Sequence, residues 1–447
     1  MPKYPDDYFR FKSIRDPLYG FIDLSNTETQ IIDTPAFRRL HGIKQLSHAY
    51  LVYPTAVHTR FEHSLGVTHL ADLVSKQLSL DDEVREIVRL AALLHDVGHG
   101  PFSHLFEKVM ERANGETIDH DKISMMLIRE DPHISSILGD RVEKIICILN
   151  HEPAPGLDRK ISSLATDIVS SPLDADKMDY LRRDSYHIGV AYGQFDLPRI
   201  IHTLTHTDDQ EEQKICVDSK GKDSIESYRL GRYLMHAQVY KHHTRLIGDQ
   251  MFLQALDLAV NEEGIIPREK LRTDTDLSKS HEEFLKFYTS LDDHRLYDRI
   301  LRKGDSKASR ILGRIQHRDL LKRVVEYLPD TEILNAQTRD RVSRLGKDDL
   351  RPLSHEIAKE AGLDKHDVIV HSSDIPVNLY EGDIMIMWKG IPRKLDEFSP
   401  IDVRRSAINK FHVFGPGNDT AKQRIKKSVE RQLGIKLTDH RDSEYIA

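Results

Sequence analysis

The chain has 447 residues, of which 39% are hydrophobic and 31% charged, and its formal net charge is −7. This length predicts roughly two or three compact units. The sequence has no run of 18 apolar residues, which excludes a membrane-spanning helix, and its overall acidity argues against a protein that coats nucleic acid.

The start of the sequence and its cysteines indicate the compartment. No basic end followed by an apolar run is present, so we expect no secretory signal and a cytoplasmic location. The two cysteines, Cys147 and Cys216, lie far apart in the sequence, which argues against a disulfide framework or a thiolate zinc site. Both features fit a reducing environment.

Histidines are concentrated in one region. Seven of the 25 lie between residues 58 and 120, twice as many as an even spread would give. Histidine combines metal ligation with proton transfer near neutral pH. We therefore expect the chemistry of the protein to lie in this region.

Two apolar repeats predict two amphipathic helices, each with one face in the core. Their apolar positions are Val67, Leu70, Val74 and Leu78 in the first helix and Val84, Ile87, Val88, Ala91 and Leu94 in the second. The acidic run at 81–83 suits the start of the second helix, and the glycines and proline of 98–101 end it. This places His95 and Asp96 on its last turn.

The rest of the chain divides into three stretches. Residues 199–218 alternate weakly in polarity and predict a hairpin inserted between helices. Residues 262–365 are charged and helical in pattern. From 366 onward, DVIVHSS, GDIMIMW and FHVFG predict strands, and KQRIKKSVERQLG predicts a basic amphipathic helix. We expect a mainly α protein with a small C-terminal α+β lobe, divided into 1–260, 261–365 and 366–447.

The first motif with chemical potential is RFEHSLG. His63 precedes Val67 by four residues and Leu70 by seven, so on a helix it shares their buried face. A buried histidine needs a partner, and a satisfied core histidine is the simplest interpretation. A metal ligand is the alternative.

The second motif, LLHDVGHGPFSH, places His95, Asp96, His99 and His104 close together in sequence. Adjacent side chains on a helix diverge by about 100°, but at a helix terminus two neighbours can bind one ion. Mixed imidazole and carboxylate ligands suit a catalytic divalent ion with open positions. The competing interpretation is a capping aspartate beside surface histidines.

Two polar stripes follow on predicted helices. In LDADKMDYLRRD and RYLMHAQVYKHH, side chains repeat at helical spacing on one face; the stripes are Asp176, Tyr180, Arg183 and Asp184 in the first motif and Arg232, His236 and Tyr240 in the second. A solvated, salt-bridged face would explain both. The charge pattern alone favours this interpretation for the first stripe, whereas the second could equally line a pocket with aromatic walls and few polar contacts.

RFEHSLG, HDVGHGPFSH and DKMDYLRRD, in this order, resemble the HD-domain deoxynucleoside triphosphate triphosphohydrolases, especially those that combine SAM and HD domains. The resemblance runs from about residue 12 to 330 and more loosely to the C-terminus, and we expect no SAM segment before it. It implies an HD-domain helical core as the first unit. It also implies a metal site formed by His63, His95, Asp96 and Asp176.

The chemistry of these four residues agrees with that implication. Two neutral imidazoles and two carboxylates suit a divalent cation such as Fe, Mn, Mg or Zn and leave positions for water and phosphate oxygen. The sequence leaves the identity of the metal open.

The resemblance also implies catalytic and substrate-binding roles. His104 would donate a proton to the leaving 5′ oxygen, with Glu107 and His120 as its partners, and Glu107 stands where mammalian members have Asp. The triphosphate would be bound by Arg60, His99, Lys177 and Arg232. The sugar and the pocket wall would be contacted by Gln45, Leu46, Tyr180, Asp184, His236 and Tyr240. Leu46 would fill the space that a 2′-hydroxyl needs, whereas Gln45 as a cap and Leu46 as core are the structural alternative.

The residues that regulate the family's mammalian member are only partly matched in this sequence. The family's mammalian member assembles as a homotetramer with regulatory nucleotides at subunit contacts, so we expect a homo-oligomer, a tetramer or dimer. Lys12 and Asp33 match that regulatory pattern, whereas Arg15, Arg38 and His41 replace residues used there. We therefore expect altered or absent GTP dependence.

A basic stretch near the C-terminus has two open interpretations. Residues 404–431 carry eight Lys or Arg against two acidic residues. This segment is either a solvated helix or a contact for a regulatory anion or another subunit.

The expected function is hydrolysis of a deoxynucleoside triphosphate to deoxynucleoside and triphosphate. One alternative is an HD phosphodiesterase or nucleotidase that acts on another phosphate ester. A nucleotide-sensing or nucleic-acid-binding module is a third possibility, although we do not expect nucleic acid or a membrane as a partner.

Overall fold

The computed structural model describes residues 8–207, 212–273, 281–327, 350–376, 384–399 and 407–434. In chain order its α-helices, α1 to α18, are Asn26–Ile32, Pro35–Arg38, Arg60–Gln77, Asp82–Leu94, His104–Asn114, His120–Glu130, Pro132–Leu138, Val142–Leu149, Arg159–Val169, Ala175–Ile188, Leu197–Thr203, Lys222–Leu234, His243–Asp257, Glu282–Thr289, Asp293–Leu301, Lys307–Gln316, Arg351–Ala361 and Asp419–Leu433. The strands β1 to β9 are Lys12–Asp16, Gly20–Leu24, Leu204–His206, Ile215–Asp218, Lys322–Tyr327, Ile369–Pro376, Met385–Trp388, Ile391–Lys394 and Ala407–Gly415. The mainly α fold class is confirmed.

Helix α3 lies at the centre of the helical body. Thirteen of its 18 residues are buried, including polar His63, Ser64 and Thr68. The predicted apolar stripe is buried, as expected. The prediction of an amphipathic helix was wrong, because α4 and α10 both pack against α3 and polar residues are buried along with the apolar ones. A helix that is covered on most sides can hold polar groups only where neighbours satisfy them.

Helix α4 begins and ends close to the predicted positions. Asp81 caps it by accepting a hydrogen bond from the amide of Val84, and its last residue is Leu94. His95 is the C-cap. The HD dipeptide therefore lies where the chain turns away from a buried helix, a position that allows adjacent side chains to converge.

The predicted hairpin is present but shorter than expected. Residues Leu197–Thr203 form α11, so the prediction was wrong for 199–203, and the antiparallel pair β3–β4 starts at Leu204. Strand β4 also pairs in parallel with β7, which in turn pairs with β8. A four-stranded sheet thus joins the inserted hairpin to the C-terminal part of the chain.

The C-terminal lobe is a three-stranded antiparallel sheet in the order β5–β9–β6. Helices α17 and α18 pack on it around a second apolar core that includes Val370, Val413 and Ile425. Strand β5 falls in the stretch expected to be helical, and that expectation was wrong for 322–327. The division into 1–260, 261–365 and 366–447 remains a prediction.

The basic stretch ends in a helix, as expected. Residues 419–433 form α18, while Arg404 and Arg405 lie outside the described residues. Within the described ranges, no helix is long and apolar enough to cross a membrane.

Candidate active site

Local capping signals position the helices that carry the site. Thr59 and Glu62 form a reciprocal capping box at the start of α3, one turn before His63. Asp174 caps α10 through the amide of Lys177, so Asp176 lies in the first turn of that helix. The side chains of both helices then meet the HD turn at the end of α4.

Four side chains converge at this point. The Nε2 atom of His63 lies 3.0 Å from Asp176 Oδ1 and 3.6 Å from Asp96 Oδ2. The Nε2 atom of His95 lies 3.3 Å from Asp96 Oδ1 and 3.8 Å from Asp176 Oδ1. These separations match ligands arranged around one small cation. The structure brings the four predicted ligands together, and their role as ligands remains a prediction.

The other ring nitrogens fix the orientation of the two imidazoles. His63 Nδ1 donates to Asp179 at 2.8 Å, and His95 Nδ1 donates to the carbonyl of Ala92 at 2.8 Å. Both Nε2 atoms are buried, and neither has a hydrogen-bond partner within the described part of the chain. A nitrogen held in this way is a free acceptor for a metal ion, since histidine ligands typically donate their second N–H to a carboxylate or carbonyl.

The charge around these imidazoles also favours a cation. Burial lowers the pKa of His63, but the adjacent carboxylates of Asp176 and Asp179 outweigh this effect and raise the pKa to about 10. Burial raises the pKa of Asp96, but Arg60 and the neighbouring histidines hold it well below its usual range. Ionised carboxylates thus surround the two imidazoles and attract positive charge, and a divalent metal ion that bound there would take the place of the imidazolium proton.

A second cluster lies beside the first and is centred on Glu107. His104 Nδ1 donates to Glu107 at 3.1 Å, and His120 Nδ1 donates to Glu107 Oε1 at 2.8 Å. His99 links the two clusters, because its Nε2 is 3.3 Å from Asp96 and its Nδ1 is 3.5 Å from Glu107. The imidazoles of His99 and His120 are stacked, with ring centroids 3.7 Å apart.

This second cluster is electrostatically polarised. Burial raises the pKa of Glu107, but hydrogen bonds from His104 and His120 outweigh burial and hold the pKa well below its usual range. Burial lowers the pKa of His120, but the hydrogen bond to Glu107 outweighs burial and raises the pKa to about 9. Burial and nearby Arg60 hold the pKa of His99 well below its usual value. Glu107 is thus a carboxylate that orients two imidazoles.

The turn that joins the two clusters is tightly constrained. Phe102 and Ser103 both have positive φ, 59° and 55°, which is costly for residues with a Cβ and is frequent at functional sites. A Cβ on Gly98 would lie 2.3 Å from the carbonyl oxygen of His120. Only glycine allows the HD turn to pack this closely against the start of α6.

A group of polar and aromatic side chains follows along α10. Asp184 accepts hydrogen bonds from His58 Nε2 at 2.7 Å and from the hydroxyl of Tyr240 at 2.6 Å. Tyr240 packs edge-on against Tyr180 and against His236, with ring centroids 6.3 and 5.0 Å away. The structure therefore groups the four predicted sugar and wall residues Tyr180, Asp184, His236 and Tyr240.

The helix that carries the second polar stripe is not regular. Met235–Tyr240 is a π-helix that continues α12, so Arg232, His236 and Tyr240 do not follow simple α-helical spacing. Single π-helical turns inside α-helices are often found at functional sites. Here the wider turn includes both His236 and Tyr240.

The predicted phosphate-binding cations have carboxylate neighbours. Arg60 bonds to Asp96 and, at 2.9 Å, to the hydroxyl of Ser103. Lys177 Nζ donates to Asp174 at 2.8 Å. These pairs orient both cations beside the candidate ligands Asp96 and Asp176.

The two residues of IKQLSH differ in environment. Leu46 is 6% exposed and belongs to the main hydrophobic core. The amide of Gln45 donates to the carbonyl of His58 at 3.0 Å, which places Gln45 beside the His58–Asp184 pair. Its Oε1 is a buried acceptor that has no hydrogen-bond partner among the described residues.

Among the expected regulatory positions, Asp33 and Arg38 pair with each other at 3.1 Å. His41 stacks on Phe61 with ring centroids 3.6 Å apart. One matching position, Asp33, is therefore in contact with one departing position, Arg38.

Sequence reasoning missed three residues that hold the site together. Asp179 orients His63, His58 binds Asp184, and Asp174 pairs with Lys177. Asp179 lies three residues after Asp176, a helical spacing that could have indicated it. His58 is one of the seven histidines between residues 58 and 120, but no other pattern in the sequence indicated that it binds Asp184.

The helical body and its His, His-Asp and Asp cluster are the features of an HD-domain protein. A family model for the HD domain matches residues 60–184, and a model for the HD-associated region matches residues 195–444. The chain therefore belongs to the family of HD-domain proteins with an HD-associated region, and the resemblance drawn from its motifs is confirmed.

Two relatives and one solved structure show how far the similarity extends. An uncharacterised protein of Methanocaldococcus jannaschii is 34% identical over 437 residues, which covers 95% of this chain and 85% of that protein. The human deoxynucleoside triphosphate triphosphohydrolase SAMHD1 is 31% identical over 430 residues, which covers 88% of this chain and 64% of that protein. A crystal structure of a hypothetical protein from Aquifex aeolicus has a TM-score of 0.70 and 28% identity, and covers 93% of this chain and all of that one.

Proposed function

We propose that this protein is a metal-dependent dNTP triphosphohydrolase that converts a deoxynucleoside triphosphate and water into deoxynucleoside and triphosphate. One observation carries the proposal: the His63, His95, Asp96 and Asp176 cluster lies directly beside an oriented His104–Glu107–His120 cluster. A metal-binding group next to an acid–base group is the arrangement that hydrolysis of a phosphate ester requires.

A divalent cation held by the first cluster would supply positive charge and polarise the α-phosphoryl group. Iron, manganese, magnesium and zinc all fit a set of two imidazoles and two carboxylates with open positions. The flanking cations Arg60, Lys177 and Arg232 would neutralise the triphosphate, with Arg60 able to form paired hydrogen bonds to phosphoryl oxygens. His99 would contact the phosphates between the two clusters.

The second cluster would deliver the proton. The side chain of His104 is 65% exposed, whereas its Nδ1 is held by Glu107. Its other nitrogen is therefore free to donate a proton to the departing 5′ oxygen. His120 also donates to Glu107 Oε1, which holds in place the carboxylate that orients the His104 ring.

The pocket along α10 would take the nucleoside. Asp184 and Gln45 have oxygen atoms suited to accept a hydrogen bond from the 3′-hydroxyl, and Tyr180, His236 and Tyr240 offer aromatic surface. Leu46 would lie against C2′ and disfavour a ribose. We also propose a homo-oligomer, tetrameric or dimeric, with regulatory nucleotide at subunit contacts.

The direct test is to incubate the protein with each dNTP and Mn²⁺ or Mg²⁺ and to follow the products by phosphorus NMR. We expect intact triphosphate and unphosphorylated deoxynucleoside. His104→Ala should slow turnover by roughly 100-fold or more, the usual scale of general acid catalysis. His133→Ala, an exposed histidine on α7, is the matched control and should leave the rate unchanged. Orthophosphate or pyrophosphate as the first product would refute the proposal and favour a phosphodiesterase or nucleotidase.

A further inference from the structure

A cavity of about 590 Å³ lies away from the candidate active site, between the helical body and the C-terminal lobe. Its walls come from α5, α13, α17 and the segment 365–372. Lys108 on α5 follows Glu107 directly, so the two side chains diverge by about 100° around the helix. The cavity therefore opens on a different face of α5 from the His104–Glu107–His120 cluster.

The rim of this cavity carries more positive than negative side chains. Four lysines and arginines line it, namely Lys108, Arg112, Arg351 and Lys365, against the two carboxylates Asp257 and Glu262. Asp257 is shared, because Arg112 and Arg351 lie 3.3 and 3.1 Å from its two oxygens. Lys365 lies 3.5 Å from Glu262. Lys108 has no ion-pair partner within the described ranges.

The interior of the cavity combines apolar surface with unused hydrogen-bonding groups. Leu253, Val368 and Val370 are buried side chains of its lining. His366 and His371 also line it, and each has a buried Nε2 atom that finds no hydrogen-bond partner among the described residues. A ligand with both a flat apolar part and an anionic part would satisfy this combination.

We propose that this cavity binds a phosphate-bearing ligand of mononucleotide size, separate from the substrate site. The phosphate would lie against Lys108 and Arg351 at the rim, since charge-assisted hydrogen bonds to phosphate are strong. The planar apolar part would lie against Leu253 and Val370, with His371 as a polar contact. The volume is within the range of ordinary small-molecule sites.

The test is photolabelling of the full chain with 8-azido-AMP, followed by mass spectrometry of its peptides. We expect label in residues 350–372, and competition by AMP but not by adenosine. The double variant Lys108→Gln/Arg351→Gln should lower this labelling at least ~10-fold, because two charge-assisted contacts are lost. Lys359→Gln, an exposed lysine of α17 outside the cavity lining, is the matched control and should label like the unmodified protein.

Two results would overturn the proposal. One is label confined to peptides of the candidate active site, such as 175–188 and 232–240. The other is label in 350–372 that persists in the double variant or falls equally in Lys359→Gln, which would indicate general charge attraction. If thermal melting shows that the double variant is unfolded, the single variant Lys108→Gln replaces it in the test. We expect this variant also to show reduced labelling of residues 350–372. Labelling requires no hydrolysis, so its outcome is independent of the proposed dNTP activity.

Discussion

The imidazole of His63 uses its two nitrogens for two different purposes. Nδ1 donates to Asp179, which in turn binds Arg183 and the hydroxyl of Tyr19. Nε2 is left beside Asp96 and Asp176. The orientation of a single ring therefore depends on a buried network that reaches β1, where Asp16 binds Arg183 at 2.9 Å.

The metal assignment predicts a loss of metal without a loss of fold. In His95→Ala/Asp96→Asn one imidazole and one carboxylate ligand are removed, while the asparagine keeps an oxygen for Arg60. We expect little bound metal in the purified variant and activity near background. Elemental analysis measures the metal-to-protein ratio, and circular dichroism checks the helical content.

His294→Ala/Asp305→Ala, which changes the same residue types at exposed positions, is the control and should retain its metal. An unchanged metal-to-protein ratio in His95→Ala/Asp96→Asn would show that the ligand assignment is wrong.

The His120–Glu107 pair predicts a pH dependence of stability. The pKa of His120 is raised to about 9 by Glu107, above the value of about 6.5 in an unfolded chain. Folding therefore takes up a proton between these values, and the contribution of the pair is complete below pH 6.5 and is lost as pH rises through 9. Between pH 6.5 and 9.5 we expect the unmodified protein to lose more stability than Glu107→Gln does. The difference in the free energy of unfolding should be on the order of 1 kcal/mol, and it is measured as a larger fall in melting temperature. Parallel curves for the two proteins would contradict this coupling.

The position of Leu46 predicts the choice of sugar. A hydroxyl pressed unpaired against apolar atoms costs roughly 1–3 kcal/mol, or about ten- to a few-hundred-fold in selectivity. We expect a preference for dATP over ATP that Leu46→Ala reduces. The measurement is the ratio of kcat/KM for the two nucleotides in both proteins, which is insensitive to the fraction of folded variant. An unchanged ratio would leave Leu46 as a core residue only.

At the scale of elements, Gly66 lets α3 and α10 approach closely. A Cβ on Gly66 would lie 2.0 Å from Asp179 Oδ1 and 2.4 Å from a guanidinium nitrogen of Arg183. Both helices carry candidate metal ligands, His63 and Asp176. The spacing of the helices and the geometry of the cluster are thus set by the same contact.

Gly66→Ala should force the two helices apart. Overpacking at such a site costs about 1–3 kcal/mol, and displaced ligands should weaken metal binding as well. Gly313→Ala in α16 is the matched control, because a Cβ there meets nothing within 4 Å, and alanine at an open helical position stabilises by about 0.5–1 kcal/mol. Chemical denaturation and metal titration of both variants measure the two effects. Equal stability of Gly66→Ala and Gly313→Ala would contradict the close-contact explanation.

Local signals in the sequence predicted the helices, whereas contacts between residues far apart in the sequence could not be predicted from it. Asp81 and the glycines after His95 bounded α4 because capping and turn chemistry depend on neighbouring residues. The bonds of His58 to Asp184 and of His63 to Asp179 join residues 126 and 116 positions apart. Strand β5 was missed because its charged sequence acquires a strand conformation only by pairing with β9.

At the scale of the whole molecule, residues 8–41 expose apolar side chains at which we expect assembly. Phe11 and Phe21 on and beside the β1–β2 hairpin are 64% and 58% exposed. Asp33, which matches the family's regulatory pattern, is paired with Arg38 in this structure. A nucleotide bound at this surface would have to compete with that pair.

We expect the protein to form a homo-oligomer with little or no dependence on GTP. Arg38 and His41 lack the groups that the family uses to recognise guanine, which is the physical reason for the altered specificity. Analytical ultracentrifugation with dNTP, with and without GTP, measures the assembly, and turnover assays measure the dependence. A monomer under turnover conditions would remove the assembly prediction, and strict activation by GTP would remove the specificity prediction.

The parallel pairing of β4 with β7 has a consequence for biosynthesis. Cys216 and Met385 are partners across this ladder, so synthesis must proceed through about 170 further residues before the edge of β4 is covered. Pairings between such distant segments form slowly, because closing a long loop costs entropy before any contact compensates for it. Until then the nascent chain presents an open strand edge, which is a template for aggregation. The interval between synthesis of β4 and synthesis of β7 is therefore the stage at which we expect the chain to depend most on chaperones.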